Sequence, residues 1–108
     1  MWAVIKAAAL RGTTVFAPST VIAQVWRGSP RQARLATALQ GAEVSLFDPM
    51  AKAAGELCGA SRTSDVVDAS VVLTAVKERA KQIYTSDEGD IQHLLDALQI
   101  KDVLVVHC

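Results

Sequence analysis

Four short segments rich in β-branched residues alternate with helix-like segments along this chain, and this alternation limits the fold more than any other feature. The four segments cover residues 13–18, 43–48, 82–87 and 102–108. Strands that alternate with helices usually form a parallel sheet that helices cover on both faces. The sequence therefore predicts a mainly parallel α/β fold, and residues 1–108 are expected to form a single domain.

The helix-like segments carry ordinary start and stop signals. Gly12 and Gly41 follow two of them, where glycine favours termination, and Pro30 stands at a favoured first position. We expect Leu35 and Leu39 to be buried, and the last strand to be buried on both faces. The predicted helices cover residues 1–11 (with Trp2, Ile5 and Ala9 on one side), 20–28, 31–40, 48–61 (ending near Gly59), 64–80 and 87–100.

Two carboxylates, Asp65 and Asp68, begin a helix that is otherwise built from Val, Leu and Ala. Ser64 or Thr63 is the expected N-cap, and acids three residues apart share one face of a helix. Asp68 lies among apolar residues, where a carboxylate costs free energy unless it is solvated, paired or bound to a metal. In the alternative interpretation, Asp65 is an ordinary first-turn acid and Asp68 lies on a narrow solvated strip.

Other oxygen donors follow the predicted strands. Asp87 lies at the end of the strand 82–85 with Asp90 nearby, and Gln24 lies in the helix that follows the first strand. Ligands of parallel sheets bind beyond the carboxyl ends of the strands, and several oxygens at one edge suit a hard cation such as Mg²⁺. The alternative is that Asp87 and Asp90 are the N-cap and third-position acid of an ordinary helix.

The charge distribution is uneven although the net charge is zero. Residues 1–42 contain five bases and no acid, whereas residues 43–108 contain six bases and all eleven acids. A basic half suits a phosphate-rich partner and an acidic half suits a cation, while two solvated faces of opposite sign are the alternative.

The sequence also indicates a compartment. Cys58 and Cys108 lie far apart, which favours a reduced, cytoplasmic protein, with a single disulfide as the open alternative. No apolar run reaches the roughly 20 residues that span a bilayer, and the apolar first residues lack the basic start of a signal peptide. We therefore expect no membrane partner.

Four stretches, in order and correctly spaced, make the chain resemble a PIN domain, the ribonuclease fold of VapC-type toxins in toxin–antitoxin pairs. They are FAPSTVIAQVWRG, SPRQARLATAL, TSDVVDASVVLTA and IYTSDEGDI, and the resemblance covers nearly the whole chain. It implies a PIN-like three-layer fold and an endoribonuclease that depends on Mg²⁺ or Mn²⁺. Asp68 and Asp87 match the family's third and fourth acids and would be catalytic metal ligands, supported by Asp65 and Asp90.

The resemblance also implies partners, namely an RNA substrate and an antitoxin. The three arginines of the matched basic stretches would contact RNA phosphates or an acidic antitoxin segment, although a solvated helix face explains each of them as well; they are Arg27, Arg31 and Arg34.

The chain departs from the family pattern at two places. Gln24 stands where the family usually has a glutamate, and an uncharged amide oxygen would be a weaker ligand. The family's first strand and its acid would precede Met1, so we expect this strand to be missing. In the family it lies between the strands that match residues 14–17 and 82–85. Those strands would then pair directly or expose edges, and exposed edges predict a homodimer or a swapped assembly.

Two further interpretations stay open on the sequence alone. With two of the four matched acids lost, the chain could be a catalytically inactive PIN-fold module that binds itself, an antitoxin or RNA. It could also be an unrelated small α/β domain whose acids only cap helices. In that case Asp68→Asn would be neutral or stabilising, and RNA binding would be negligible.

Overall fold

The computed structural model describes residues 2–108, and the side chains of Trp2 and Ala9 lie outside that description, so their predicted packing does as well. Six α-helices and four strands alternate within the described residues. The helices are α1 (Trp2–Leu10), α2 (Ser19–Val25), α3 (Ala33–Gln40), α4 (Ala51–Ser61), α5 (Val66–Lys77) and α6 (Glu88–Ala97), and the strands are β1 (Phe16–Pro18), β2 (Glu43–Ser45), β3 (Gln82–Thr85) and β4 (Leu104–His107). Short 3₁₀ turns at Pro30–Gln32 and Asp48–Met50 precede α3 and α4.

The strands pair in parallel, so the predicted α/β class with parallel strands is confirmed. They form two separate two-stranded sheets, however, where the sequence predicts one. Phe16 of β1 lies opposite Glu43 of β2, and Gln82 of β3 lies opposite Leu104 of β4. The sheets stay separate because β1 and β3 do not pair with each other, while α5 packs against both.

The main hydrophobic core lies where α4, α5, α6 and β3 meet. Ala69 and Val72 on α5 are fully buried and pack with Leu57, Ile83 and Ile91 from the surrounding elements. The small side chains of α5 let its neighbours approach closely, and burial of this kind contributes about 25 cal/mol per Å² of apolar surface. A central α5 therefore fixes the positions of the strand ends around it.

The first third of the chain is less well buried than predicted. Leu35 and Leu39 are only half-buried, because α3 packs mainly against α1 and not against the main core. Ile5 of α1, by contrast, is 4% exposed.

The last strand is the clearest error of the sequence-based prediction. Leu104 in β4 is 58% exposed, although we expected both faces of this strand to be buried. Among the described strands β4 pairs only with β3, so its other edge has no neighbouring strand. β2 is similar, since Val44 is 51% exposed while the neighbouring Ser45 points inward and accepts a hydrogen bond of 3.2 Å from the Thr74 hydroxyl.

Two helix ends follow the predictions, since Gly12 follows α1 and Gly41 is the C-cap of α3, whereas the end of α4 departs from them. Gly12 ends α1 with φ of 71°, as expected. α4 continues through Gly59 to Ser61 and ends at Arg62, which has φ of 59°. The backbone N–H of Thr63 donates to the Cys58 carbonyl across this turn, at 3.0 Å. A left-handed arginine costs about 1 kcal/mol, so tertiary packing decides this helix end.

Both cysteines are free, with Cys58 buried and Cys108 exposed, so the structure does not form the disulfide that the sequence left open. Among the described helices, none combines the length and the apolar character that crossing a bilayer requires.

Candidate functional site: a carboxylate cluster at the strand ends

The site begins with Asp65, which is the N-cap of α5. Its side chain accepts a hydrogen bond of 3.0 Å from the backbone N–H of Asp68. The predicted caps, Ser64 and Thr63, are therefore wrong, because the chain is still extended at Asp65 and the helix starts at Val66. Capping engages one oxygen of the Asp65 carboxylate and stabilises the helix start by about 1 kcal/mol.

Asp68 lies one turn into α5 and is only 7% exposed, so the alternative of a solvated strip is wrong for this residue. Burial, and then the negative charges of Asp65, Asp87 and Asp90, raise the pKa of Asp68 from 3.8 to about 6. A side-chain hydrogen bond with Asp65 raises this pKa further. Every charged group that raises the pKa is thus a carboxylate, which is an unfavourable arrangement for an ionised acid without a cation.

Asp87 occupies the N-cap position of α6, but its side chain does not cap the helix. The Asp87 side chain makes no capping hydrogen bond, and its backbone N–H instead donates to the Thr85 hydroxyl at 3.0 Å. The structure therefore does not support the alternative interpretation in which the Asp87 side chain caps an ordinary helix. Asp87 and Asp90 are both exposed, which leaves their carboxylates accessible beside Asp68.

Four of the five predicted metal ligands lie near enough to one another to interact electrostatically. Asp65 and Asp68 come from the start of α5, while Asp87 and Asp90 come from the segment after β3. Carboxylate oxygens are the donors that Mg²⁺ and Mn²⁺ prefer, so the donor chemistry fits a hard cation. Within residues 2–108, however, no three acidic, His or Cys side chains are close enough to hold one ion together. The donors fit such a cation, while their spacing is wider than that of a closed three-ligand centre.

Gln24, the fifth predicted ligand, is exposed near the end of α2 and makes no hydrogen bond with any of these four carboxylates. The contact that joins α2 to α5 is made one turn earlier, by Thr20. Its hydroxyl lies 2.6 Å from the Ser70 hydroxyl, and Ser70 in turn donates to the Val67 carbonyl at 2.6 Å. Since Ser70 has a single hydroxyl hydrogen, Thr20 is the donor in their shared bond.

The predicted basic residues lie on the surface of the molecule. Arg27, Arg31 and Arg34 are exposed, and the Arg27 guanidinium donates to the carbonyl oxygens of Trp26 and Ala23 at 2.8 and 3.3 Å. Arg27 therefore stabilises the end of its own helix. The Gln32 side chain holds the loop, because it accepts from the backbone N–H of Arg27 at 2.7 Å.

Two features of this region escaped the sequence analysis. Glu88, next to Asp87, pairs with the imidazole of His107 at 2.5 Å and thereby joins the start of α6 to the end of β4. Thr85 orients the backbone at Asp87. The order of strands brings His107 to this place, so only the adjacency of β3 and β4 could have revealed the pair.

Comparisons with protein-family models, with curated proteins and with solved structures find no significant match to this chain. The geometry of the site is therefore what supports any function.

Proposed function

We propose that this chain is a Mg²⁺- or Mn²⁺-dependent endoribonuclease of the PIN-domain, VapC-type toxin class, with a PIN-like three-layer arrangement. The observation that carries the proposal is the buried Asp68 near the carboxyl end of β3, whose pKa is raised by the negative charges of Asp65, Asp87 and Asp90. Clustered carboxylates with one strongly shifted pKa are a common property of catalytic sites. The position at the ends of parallel strands is also where α/β proteins bind ligands.

In this proposal Asp68 and Asp87 hold the cation, with Asp65 and Asp90 as supporting carboxylates and Gln24 as a weak ligand. A bound divalent cation supplies an activated water and neutralises charge on the attacked phosphodiester. Asp68 contributes only when it is ionised, so its pKa of about 6 favours activity above that pH. Asp68 is 7% exposed, and burial restricts the positions that its side chain can adopt.

The test is cleavage of labelled RNA by the purified chain with Mn²⁺, with Mg²⁺ and with a chelator. Asp87→Asn should abolish metal-dependent cleavage, whereas Asp96→Asn on the exposed part of α6 removes the same charge away from the cluster and should keep it. Unchanged cleavage in the Asp87→Asn variant would refute the assignment of the site.

A specific observation favours a second candidate function, a PIN-fold module that binds RNA or an antitoxin without cleaving. Asp65 already serves as the cap of α5, and no closed three-ligand group exists among residues 2–108. This candidate predicts RNA binding that is unaffected by chelator, together with no gain in melting temperature from divalent cations. The ribonuclease proposal predicts the opposite for the cations.

The proposal extends to partners and compartment. We propose a reduced, cytoplasmic protein that acts on RNA, binds an antitoxin through Arg27, Arg31 and Arg34, and forms a homodimer.

Outer strands with exposed apolar residues, such as Leu104 in β4 and Val44 in β2, support self-association. Sedimentation over a range of concentrations tests the dimer, and Leu104→Lys should then shift the chain towards the monomer.

A further inference from the structure

A groove of about 550 Å³ separates the two sheets. β1 and β3 line two of its sides, Val71 and Ala75 of α5 form its floor, and α1 lines it as well through Ile5 and Ala8. Apolar side chains dominate the lining, including Phe16 and Ile83 from the two facing strands. A volume of this size equals that of a small-molecule pocket, yet two strands contribute to its walls.

Both strands turn an unused edge towards this groove. The backbone N–H of Glu43 donates to the Val15 carbonyl at 2.9 Å, so Val15 directs its polar backbone groups towards β2. Successive residues of a strand direct these groups to opposite edges, and the N–H and carbonyl of Phe16 therefore point away from β2 and into the groove.

The same reasoning applies to the other wall. The carbonyls of Lys81 and Thr85 accept from Leu104 and Cys108 of the neighbouring strand segment, at 2.8 and 3.1 Å. Gln82 and Tyr84, which alternate with them, thus direct their backbone groups away from β4 and towards the groove. Two strand edges with unpaired donors and acceptors face one another across an apolar floor.

The two walls run in the same direction. Thr20, which follows β1, is hydrogen-bonded to Ser70 near the start of α5. Asp87, which follows β3, raises the pKa of Asp68 in the same region of α5. The carboxyl ends of both strands therefore lie at the start of α5, and their amino ends lie near its end.

Basic residues line one end of the groove, and carboxylates that do not line it lie beyond the other end. Arg11, Arg79 and Lys81 line the end where β1 and β3 begin, with Glu78 as the acid among them. The four-carboxylate cluster lies at the end where the strands finish. An occupant that complements both ends carries an acidic residue at one end and a basic residue at the other.

We propose that this groove binds an extended segment of a partner polypeptide, which becomes a middle strand bonded to both β1 and β3. The segment has apolar side chains towards α5, an acidic residue beside Arg79 and Lys81, and a basic residue beside the carboxylate cluster. Strand addition of this kind draws affinity from main-chain hydrogen bonds and specificity from side-chain pockets. An inserted strand satisfies the unpaired edges of both sheets and joins them.

The test uses a synthetic eight-residue peptide with two glutamates, four valines and two lysines in that order, acetylated and amidated at its ends. Binding is followed by fluorescence anisotropy and by amide exchange of the ¹⁵N-labelled chain. We expect saturable binding and slower exchange at Phe16, Gln82 and Tyr84. N-methylation of alternate peptide residues removes the main-chain donors without changing the side chains, and it should weaken binding at least tenfold.

Charge reversal tests the orientation of the occupant. The double variant Arg79→Glu and Lys81→Glu should bind the original peptide at least tenfold more weakly and bind a peptide with its charged ends exchanged more tightly. Lys52→Glu changes an exposed lysine of α4 outside the groove and should leave both affinities unchanged.

Three outcomes would overturn this inference. Equal affinity for the N-methylated peptide would mean an apolar pocket and not a strand site. Protection of Phe16 and Tyr84 amides that appears with protein concentration alone, and that the peptide cannot displace, would mean that a second copy fills the groove. Absence of binding with fast exchange at these amides would mean that nothing adds there. None of these results depends on RNA cleavage, so the proposed ribonuclease activity is tested separately.

Discussion

The backbone N–H of Asp68 donates a hydrogen bond of 3.0 Å to the carboxylate of Asp65, so the residue that caps α5 is also the acid nearest in sequence to the buried one. This contact stabilises the helix start, while the charge of Asp65 opposes ionisation of Asp68. The Asp65 side chain therefore both stabilises the start of α5 and raises the pKa of Asp68. Experiments can separate these two effects.

Asp65→Ser should separate them. Serine keeps an N-cap acceptor but removes the charge, so the pKa of Asp68 should fall and the free energy of unfolding at pH 8 should be at least that of the unmodified chain. Asp65→Ala removes both, and it should be about 1 kcal/mol less stable than the serine variant. Urea unfolding at pH 8 measures the difference. Equal stability of the two variants would show that the cap bond contributes nothing.

Asp68 should make stability depend on pH in an unusual direction. The folded-state pKa of about 6 exceeds the unfolded value of 3.8, so the folded chain binds more protons between these values and its stability falls as pH rises. With chelator present, Asp68→Asn should therefore stabilise the chain at pH 8 by up to about 3 kcal/mol and lose this advantage below pH 4. Urea unfolding at both pH values, with Asp96→Asn as a control, checks it. An identical gain at both pH values would contradict the burial of an ionisable acid.

With a divalent cation, the unmodified chain should be more stable than the Asp68→Asn variant, which is the reverse of the order expected with chelator. Cation binding favours the ionised cluster, so Mn²⁺ at a hundred times its dissociation constant should stabilise the unmodified chain by about 2.7 kcal/mol. Asp68→Asn and Asp87→Asn should lose this gain, whereas Asp102→Asn, in the turn before β4, should keep it. Melting temperatures with and without Mn²⁺ measure the effect. Equal gains in all variants would place the cation elsewhere.

The hydroxyl pair between Thr20 and Ser70 should be worth about 1 kcal/mol to the folded state. Thr20→Val keeps the shape of the side chain but removes the donor, and it should lower the free energy of unfolding by that amount. Thr20→Ser retains the hydroxyl and should recover most of the loss. Denaturant unfolding of both variants provides the comparison, and equal losses would assign the effect to packing of the methyl group.

Sequence patterns predicted most of the elements because their information is local. The short apolar runs, the glycine after α1 and the proline before α3 each act within a few residues. The errors arise where distant segments decide the outcome. Nothing near Arg62 indicates a left-handed helix end, and the apolar β4 cannot reveal from its own residues that it lies at the outside of a sheet.

The site residues were likewise predictable where the signal is local and not where distant segments decide their position. Asp68 stands out locally as a carboxylate among aliphatic residues, and Asp87 stands out as an acid after a strand, so both were found. The capping role of Asp65 depends on where α5 begins, within one residue. The relation of Gln24 to the carboxylates depends on how α2 packs against α5, which the sequence of neither helix specifies.

The location of the main core implies that the N-terminal third can unfold locally while the rest of the molecule stays folded. Its buried cluster is drawn from residues between Ala54 and Leu95, whereas α2 and α3 contain no buried residue among those described. Regions with few buried apolar contacts open at lower free energy than the whole molecule. Breathing of the N-terminal third would move β1 away from β3 while α5 and α6 stay folded, so the cleft between the strands could widen transiently without global unfolding.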